Sequence, residues 1–595
     1  MRKSWAIIKS VIGKYKQKNI QKIFKLNDGN TTDNCKIISD KFNDFFINVG
    51  PNLAKNIPKM NKTPLYCMNN RLLESMFVEY VSSDEINKII NNLKNSACGW
   101  DELSVKFLKL STEFIVDPLT HICNQSLQEG IFPEQLKIAN VIPLYKSDDP
   151  MCFNHYRPVS LLCILSKVFE RIMYTRLLKF LENLKIIYEN QFGFRKHHST
   201  YMALILLMDK IAKSLNKGEF VVGVFLDFSK AFDTVNHSIL LEKMEYYGIR
   251  GVALKWFESY LNCRSQFVTY NNEKSTKRNV LCGVPQGSIL GPLLFLIYIN
   301  DLSNICGSMM PLLFADDTNL FKSGKNSQHI QTEIENDLIK ISEWLKINKL
   351  SLNIKKTQFM IFTNKNSSKP DIELQIHGHR IDQTLHTKFL GVIIDSQLTW
   401  KDHINYISKK ISKGIGIIIK ARKLLDRDTL LTLYYSFVYP YLQYCNHVWG
   451  NTFDKYLKKL FILQKRVVRV IAGVKPREHS EPIFKTLNIL SVYQINVYLI
   501  GSFMYQVYCK KILNVFLMMF QTNSNIHSHN TRQAGHLHLP LPKIELSKSS
   551  MNYRGVKIWN KIMSTEIRID MSKSIFCVDL KKYITDSVSH SKFLA

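Results

Sequence analysis

At 595 residues, with 45% hydrophobic residues and 11% aromatics, the chain is several times the length of one ordinary domain and too apolar for a disordered polymer. Its 80 Lys and Arg against 49 Asp and Glu leave a net charge of +31, far beyond what solubility needs, which points to a polyanionic partner, nucleic acid ahead of an anionic membrane. Twelve scattered cysteines without a C-x-x-C pair or zinc spacing, a start without a signal-peptide core and no apolar run of bilayer length exclude a disulfide scaffold, a zinc module and a membrane span, and predict a soluble intracellular protein.

Residues 2 to 25 carry eight Lys or Arg and no acid, with apolar side chains at roughly helical spacing. This predicts a basic amphipathic helix that either follows a phosphate backbone or docks with its basic face in water. The polar stretch Asn27 to Asn34 ends it, and a second helical pattern runs from Cys35 to Asn48, before Gly50 and Pro51. Residues 1–100 read as a basic, helical N-terminal linker region. Val81 to Gln128 is also helical in pattern, with Ser82-Ser83-Asp84-Glu85 as its start signal.

Val141 to Tyr145 predicts a short strand, and Tyr156 to Leu184 a lead-in loop followed by a long helix. Glu219 to Leu226, rich in Val and Phe, predicts a buried strand running out into Asp227. Pro311 to Ala315 runs in the same way into Asp316 and Asp317, and Asn319-Leu320-Phe321 continues beyond, which predicts a hairpin with its acids at the tip. Helix is expected from Ser327 to Asn348, strands at Lys356 to Phe362 and Phe389 to Ile394, and a heavily basic helical region from His403 to Val474. After about Glu478 the pattern is mixed.

A strand ending in one Asp beside a hairpin tipped by two more suits the binding of divalent metal at one edge of a sheet. Hard carboxylate oxygens match Mg²⁺, which keeps waters and substrate phosphates as its other ligands, and a pair of such ions supports in-line displacement at phosphorus. Taken singly, a strand-end Asp is more often a cap and an Asp-Asp pair more often a turn.

The surroundings of these acids change that balance. Phe225-Leu-Asp-Phe-Ser-Lys-Ala-Phe-Asp-Thr-Val, Gly283-Val-Pro-Gln-Gly-Ser-Ile-Leu-Gly-Pro and Phe314-Ala-Asp-Asp occur in that order and resemble three successive motifs of reverse transcriptases. Gln191-Phe-Gly-Phe-Arg-Lys and Phe389-Leu-Gly-Val-Ile-Ile-Asp narrow the resemblance to the non-LTR (LINE-like, jockey-type) retrotransposon family. Ile142-Pro-Leu-Tyr-Lys and Tyr156-Arg-Pro-Val-Ser-Leu are similar to its fingers segments, Trp344 to Phe362 to its next palm helix and strand, and Phe42-Asn-Asp-Phe-Phe to its upstream region. Thr531-Arg-Gln-Ala and Trp559-Asn are weaker echoes of its tail. The family commonly carries an endonuclease upstream, so Met1 looks like a truncation inside the linker; no ribonuclease H pattern or Cys/His knuckle is present in the sequence.

The resemblance implies an α+β right-hand polymerase: fingers and part of the palm at 101–220, a palm with an antiparallel sheet at 221–400, a helical thumb at 401–476, and 477–595 without an assigned role. It implies an RNA-directed DNA polymerase using two Mg²⁺ ions, or Mn²⁺ in their place, with an RNA template, a DNA primer or target, and dNTPs as partners, no membrane, and a place in the nucleus or cytoplasm. A catalytically inactive RNA-binding relic and a maturase-like intron protein are the alternatives. Asp227 and Asp316 would ligate both metals, with Asp317 supporting the hairpin site. Lys146 and Arg157 would hold the incoming triphosphate, and Phe232 would stand as an aromatic gate beneath its sugar. Gln286 and Gly287 form a turn where a missing Cβ lets backbone approach a nucleotide or template; an ordinary tight turn is the competing reading. Lys356 resembles a lysine near the leaving pyrophosphate, with Lys355 an equal candidate. Asp233 reads as structural.

Overall fold

The computed structural model describes residues 23–26, 29–58, 60–69, 71–364, 370–526 and 533–587. The basic helix expected over residues 2 to 25 lies almost wholly outside the described residues, as do Thr531 and Arg532. Its end does not follow the helical pattern: Phe24–Lys25 is a short strand paired with Thr31–Thr32, and Phe24 is buried among Phe42, Phe153, Tyr156 and Tyr270.

At the centre of the molecule a five-stranded sheet runs in the order Asp382–Gln383, Gln358–Phe362, Phe220–Leu226, Asp317–Gly324, Met310–Phe314. Its pairings are antiparallel except for the two-residue edge on Gln358–Phe362. Phe220–Leu226 is continuous in apolar residues because both its faces are covered. Val222, Val224 and Leu226 pack into a core with the helix Gly291–Ile299, whereas Val221 and Phe225 pack into another with the helix Thr200–Asn216.

A second sheet joins Tyr156–Leu162, Ile138–Tyr145, Ser265–Tyr270 and Glu273–Lys274, with Arg278–Asn279 also on Ser265–Tyr270. Residues 156–162 are therefore a strand and not the expected lead-in loop. Pro158, a residue unsuited to the middle of a strand ladder, stands directly opposite Pro143 in the register, so two residues that lack an N–H face each other.

The helix Cys35–Lys55 likewise outruns its expected end, passing through Pro51, with the Asn34 side chain capping its first turn. The pattern over Val81 to Gln128 resolves into Ser83–Asn92, Val105–Leu110 and Thr112–Glu129, and Ser82 accepts from the Glu85 N–H at 3.2 Å as the start signal implied. Phe389 to Ile394 is not one strand but the turn of a hairpin, His386–Phe389 on Val392–Asp395, with Leu390 and Gly391 at φ 46° and 81°.

Beyond residue 400 the chain is helical. Lys401–Ala421 buries Ile404, Ile407, Ile411, Ile415 and Ile418 along one stripe. It shares one core with Asp454–Ala472, with Val492–Tyr508, Val556–Met563 and Lys573–Ser587 further on, and with Thr200–Asn216. Residues 401–476 and 477–587 are thus packed as one body. The backbone N–H of Lys543 donates to Asn216 Oδ1 at 2.8 Å and ties this region back to the centre. Among the described residues no helix is long and apolar enough to cross a membrane.

Candidate active site

The register of the central sheet assembles the acids. Thr318 pairs with Leu226, so Asp227, the next residue of its strand, lies beside Asp316 and Asp317 at the hairpin tip. Phe314 pairs with Asp317, leaving only Ala315 and Asp316 in the turn. Asp227 is fixed through its backbone: its carbonyl accepts from the Asn353 N–H at 2.7 Å, and the next turn is held by Ser229 N–H on the Ser351 carbonyl at 2.8 Å.

The electrostatics show the acids acting on one another. Partial withdrawal from water raises the Asp316 carboxyl, with Asp227 adding to the rise while Arg157 and Lys146 oppose it. Asp317 reaches solvent at the tip, yet desolvation and then the charges of Asp316 and Asp227 push it up to about 6. None of the three forms an ion pair among the described residues. This is a cluster of negative charge that the nearby cations only partly offset, which is what a divalent ion would relieve. The carboxylates are neighbours and not a closed cage: among the described residues no cluster of three or more acidic, His or Cys side chains is arranged to hold a metal by itself.

Two cations, Lys146 and Arg157, lie within electrostatic reach of the acids without pairing with them. Lys146 follows the strand Ile138–Tyr145, its N–H bonded to the His155 carbonyl at 2.9 Å, and Arg157 stands opposite Leu144 on the neighbouring strand. Loss of water contact lowers the Lys146 ammonium, and the positive charges of Arg157 and Lys356 lower it further, while Asp227 and Asp316 pull the other way. Lys356, in the single turn Ile354–Lys356, adds positive charge against both Lys146 and Lys230.

Lys230 was missed by the sequence reading. Its Nζ donates to the carbonyls of Asn154 and Tyr156 at 3.2 and 3.3 Å, and burial followed by Lys146, Arg157 and Lys356 lowers its pKa against the pull of Asp233. The signal was present, since Lys230 lies inside the Phe225 to Val235 motif, but nothing in the linear order says that this turn folds beneath the second sheet.

Phe232 stacks on Phe295 with centroids 4.4 Å apart and meets the edge of Phe194 at 6.0 Å. Gln286 Nε2 donates to Asp233 Oδ1 at 2.7 Å, and burial pushes Asp233 up to about 6. The Gln286 carbonyl accepts from Ser160 N–H at 2.9 Å, and a Cβ on Gly287, whose φ is 133°, would overlap the Ser160 carbonyl. The close approach expected at Gly287 is therefore made by the protein's own second sheet. Gln191, quoted in sequence only as a flanking motif, grips the hairpin: its Oε1 accepts from the N–H groups of Ala315 and Gly193, each at 2.9 Å.

Carboxylates at one end of an antiparallel sheet, near Lys146 and Arg157 of a second sheet that form no ion pair among the described residues, define a site suited to handling phosphate groups beside acids. Residues 145–394 match the family Reverse transcriptase (RNA-dependent DNA polymerase), and the chain carries a domain of that family. It is 29% identical over 419 residues to the probable RNA-directed DNA polymerase from transposon X-element of Drosophila melanogaster, covering 68% of this chain and 45% of the relative. It is 30% identical over 405 residues to the RNA-directed DNA polymerase from mobile element jockey of Drosophila funebris, covering 66% and 44%. With the jockey polymerase of Drosophila melanogaster the identity is 29% over 427 residues, 70% of this chain and 46% of the relative. The chain thus spans somewhat under half the length of these curated relatives.

Proposed function

We propose that this chain is the RNA-directed DNA polymerase of a non-LTR mobile element, adding dNMP to a primer 3′-hydroxyl on an RNA template and releasing pyrophosphate. The observation that carries the reading is the placement of Asp227 beside Asp316 and Asp317, without an ion pair, within electrostatic reach of Lys146 and Arg157, which Lys230 and Lys356 neighbour in turn. The central sheet takes the part of a palm, the second sheet with its flanking helices that of fingers, and the helices from Lys401 that of a thumb. RNA template, DNA primer and dNTPs are its partners, in the nucleus or cytoplasm.

The carboxylate set fits two Mg²⁺ ions, held by Asp227 and Asp316 with Asp317 in support. When bound, the ions supply the charge that activates the 3′-hydroxyl and steadies the departing pyrophosphate. The rest falls to this chain's own side chains. Arg157 offers a planar fork to phosphate oxygens, and Lys146, Lys230 and Lys356 offer point charges, which orient the triphosphate in line with the primer end. Phe232, braced by Phe295, presents an aromatic wall toward the incoming sugar. The net charge of +31 draws template and primer to the molecule.

Extension of oligo(dT) on poly(A) by the purified chain, with Mg²⁺ and dTTP, tests the proposal. Metal-dependent product is the expected result. RNA binding without extension would leave the inactive relic in its place, and tight binding confined to one structured intron RNA would favour the maturase-like protein.

A further inference from the structure

The turn that carries the acids is strained. A two-residue hairpin turn needs a positive φ at its first position, a conformation suited to Gly, Asn or Asp. Here the residue is Ala315, at φ 56°, buried, with a Cβ that disfavours that geometry. Strain of this kind persists only where the surroundings over-determine it.

Those surroundings come from one segment. The Asn190 carbonyl accepts from Leu313 N–H at 3.0 Å and Phe192 N–H donates to the Leu313 carbonyl at 2.8 Å, so residues 190–192 lie alongside the outer strand of the hairpin. From there the Gln191 side chain, itself buried, reaches the tip, and its one oxygen takes both Ala315 N–H and Gly193 N–H. The contact is close enough that a Cβ on residue 193 would overlap the Ala315 nitrogen, so glycine is required there for steric reasons. Ala315 precedes Asp316 directly, and its N–H belongs to the peptide by which the chain enters the turn.

We infer that Gln191 is a positioning residue for catalysis: its amide oxygen, by holding the Ala315 N–H, locks the strained turn in the geometry that aims Asp316 and Asp317 at Asp227. The inference rests on the proposed polymerase reading for its consequence in rate, but the lock itself is a property of the hairpin. Without the acceptor, the Ala315 amide is a buried donor without a partner and the turn relaxes toward negative φ, swinging the acids away.

The test uses the full chain and two readouts. Gln191→Met keeps the length and apolar bulk and removes the acceptor; Gln191→Glu keeps an oxygen in the same place. Gln191→Met is expected to lower kcat in primer extension about 10- to 100-fold, the loss that a displacement of about 1 Å brings, with the KM for dTTP within about threefold of wild type on the same reasoning. Hydrogen exchange at the peptide spanning residues 310–320 is expected to speed up in Gln191→Met, while the peptide spanning Phe220–Leu226 keeps its protection, and Gln191→Glu is expected to retain the tip protection. Adding Ala315→Gly to Gln191→Met should recover at least about threefold in kcat, because glycine holds the positive φ without the lock.

Wild-type tip exchange in Gln191→Met, or no recovery with Ala315→Gly, overturns the inference. If Gln191→Met does not fold, Gln191→Glu decides: loss of tip protection there contradicts the lock and its retention supports it. A wild-type chain that extends no primer sinks the polymerase reading alone, and the exchange measurements still judge the lock.

Discussion

The carboxylates sit on a sheet buried on both faces, whereas the cations opposite them hang from exposed strand ends and a single helical turn. Asp227, Asp316 and Asp317 are placed by backbone register, through the two pairings of the strand Asp317–Gly324. Lys146 and Arg157 are exposed side chains whose approach to the acids depends on two sheets meeting, and Lys356 is exposed in the turn that leads into the central strand Gln358–Phe362. The acidic half should therefore behave as a rigid, all-or-none element, and the basic half as a set of graded contacts, each contributing part of the affinity for a triphosphate.

The sharpest break of that comparison lies within the hairpin. Asp316→Asn keeps shape and hydrogen bonding while losing charge, and is expected to cut extension at least about a thousandfold, some 4 kcal/mol of transition-state stabilisation. Asp317→Asn should cost far less, about tenfold by the same conversion. Equal losses in single-turnover extension would mean that the two acids share one role.

On the basic side, Arg157→Ala is expected to lower kcat/KM for dNTP about 10- to 100-fold, the equivalent of one or two charge-assisted hydrogen bonds, mostly through KM. Lys356→Ala should lose about tenfold and Lys355→Ala less than about twofold. Steady-state dNTP titrations of the pair would show at once if the placement of Lys356 is irrelevant, because the two losses would then match.

Phe232 spans both halves. Phe232→Val is expected to keep dNTP incorporation within about tenfold of wild type while raising relative rNTP use at least about tenfold, because a rigid clash, and not attraction, rejects the added hydroxyl. Unchanged sugar selectivity in competition assays would make its stacking on Phe295 its whole role.

The smallest effect belongs to Asp233, an acid near the site that the account keeps out of the chemistry. Its folded-state pKa, about 6, lies above the ordinary carboxylate value of 3.8, so its charge opposes folding. That penalty is absent below about pH 4, grows between 4 and 6, and is full above 6. Asp233→Asn, whose Oδ1 can still accept from Gln286, should therefore stabilise the protein by about 1 to 2 kcal/mol at pH 7.5 and by nothing near pH 4, with extension little changed. Thermal melts across that range would contradict this if the gain were flat with pH.

The acidic half was legible in sequence because its cause is local. A Val- and Phe-rich run ending in Asp227 and a hairpin ending in Asp316-Asp317 state their own geometry through short, continuous apolar stretches that run straight into acids. What could not be read depended on partners distant in the chain. Residues 156–162 look like a loop when Pro158 is read alone, and become a strand once Pro143 stands opposite. Gly287 promises room for a ligand until Ser160 fills it. Lys356 adds its charge to the surroundings of Lys146 from 210 positions away, which no local pattern states. Gln191 sits 124 positions from Ala315, and no periodicity joins a side-chain amide to one N–H across that distance. The helices after Glu478 were obscure because their apolar faces complete a core begun by Thr200–Asn216.

The most direct test of the central claim is a side-by-side measurement on wild-type protein and Asp227→Asn: Mg²⁺-dependent extension of oligo(dT) on poly(A), with the affinity for the same primed RNA taken from the same preparations. The account predicts robust extension by the wild type, a loss of at least about a thousandfold in the variant, and affinities that agree within about twofold, because phosphate contacts by surplus cations carry the binding. Extension by Asp227→Asn at near wild-type rates would contradict it, since the strand-end carboxylate would then be a cap and not part of the chemistry.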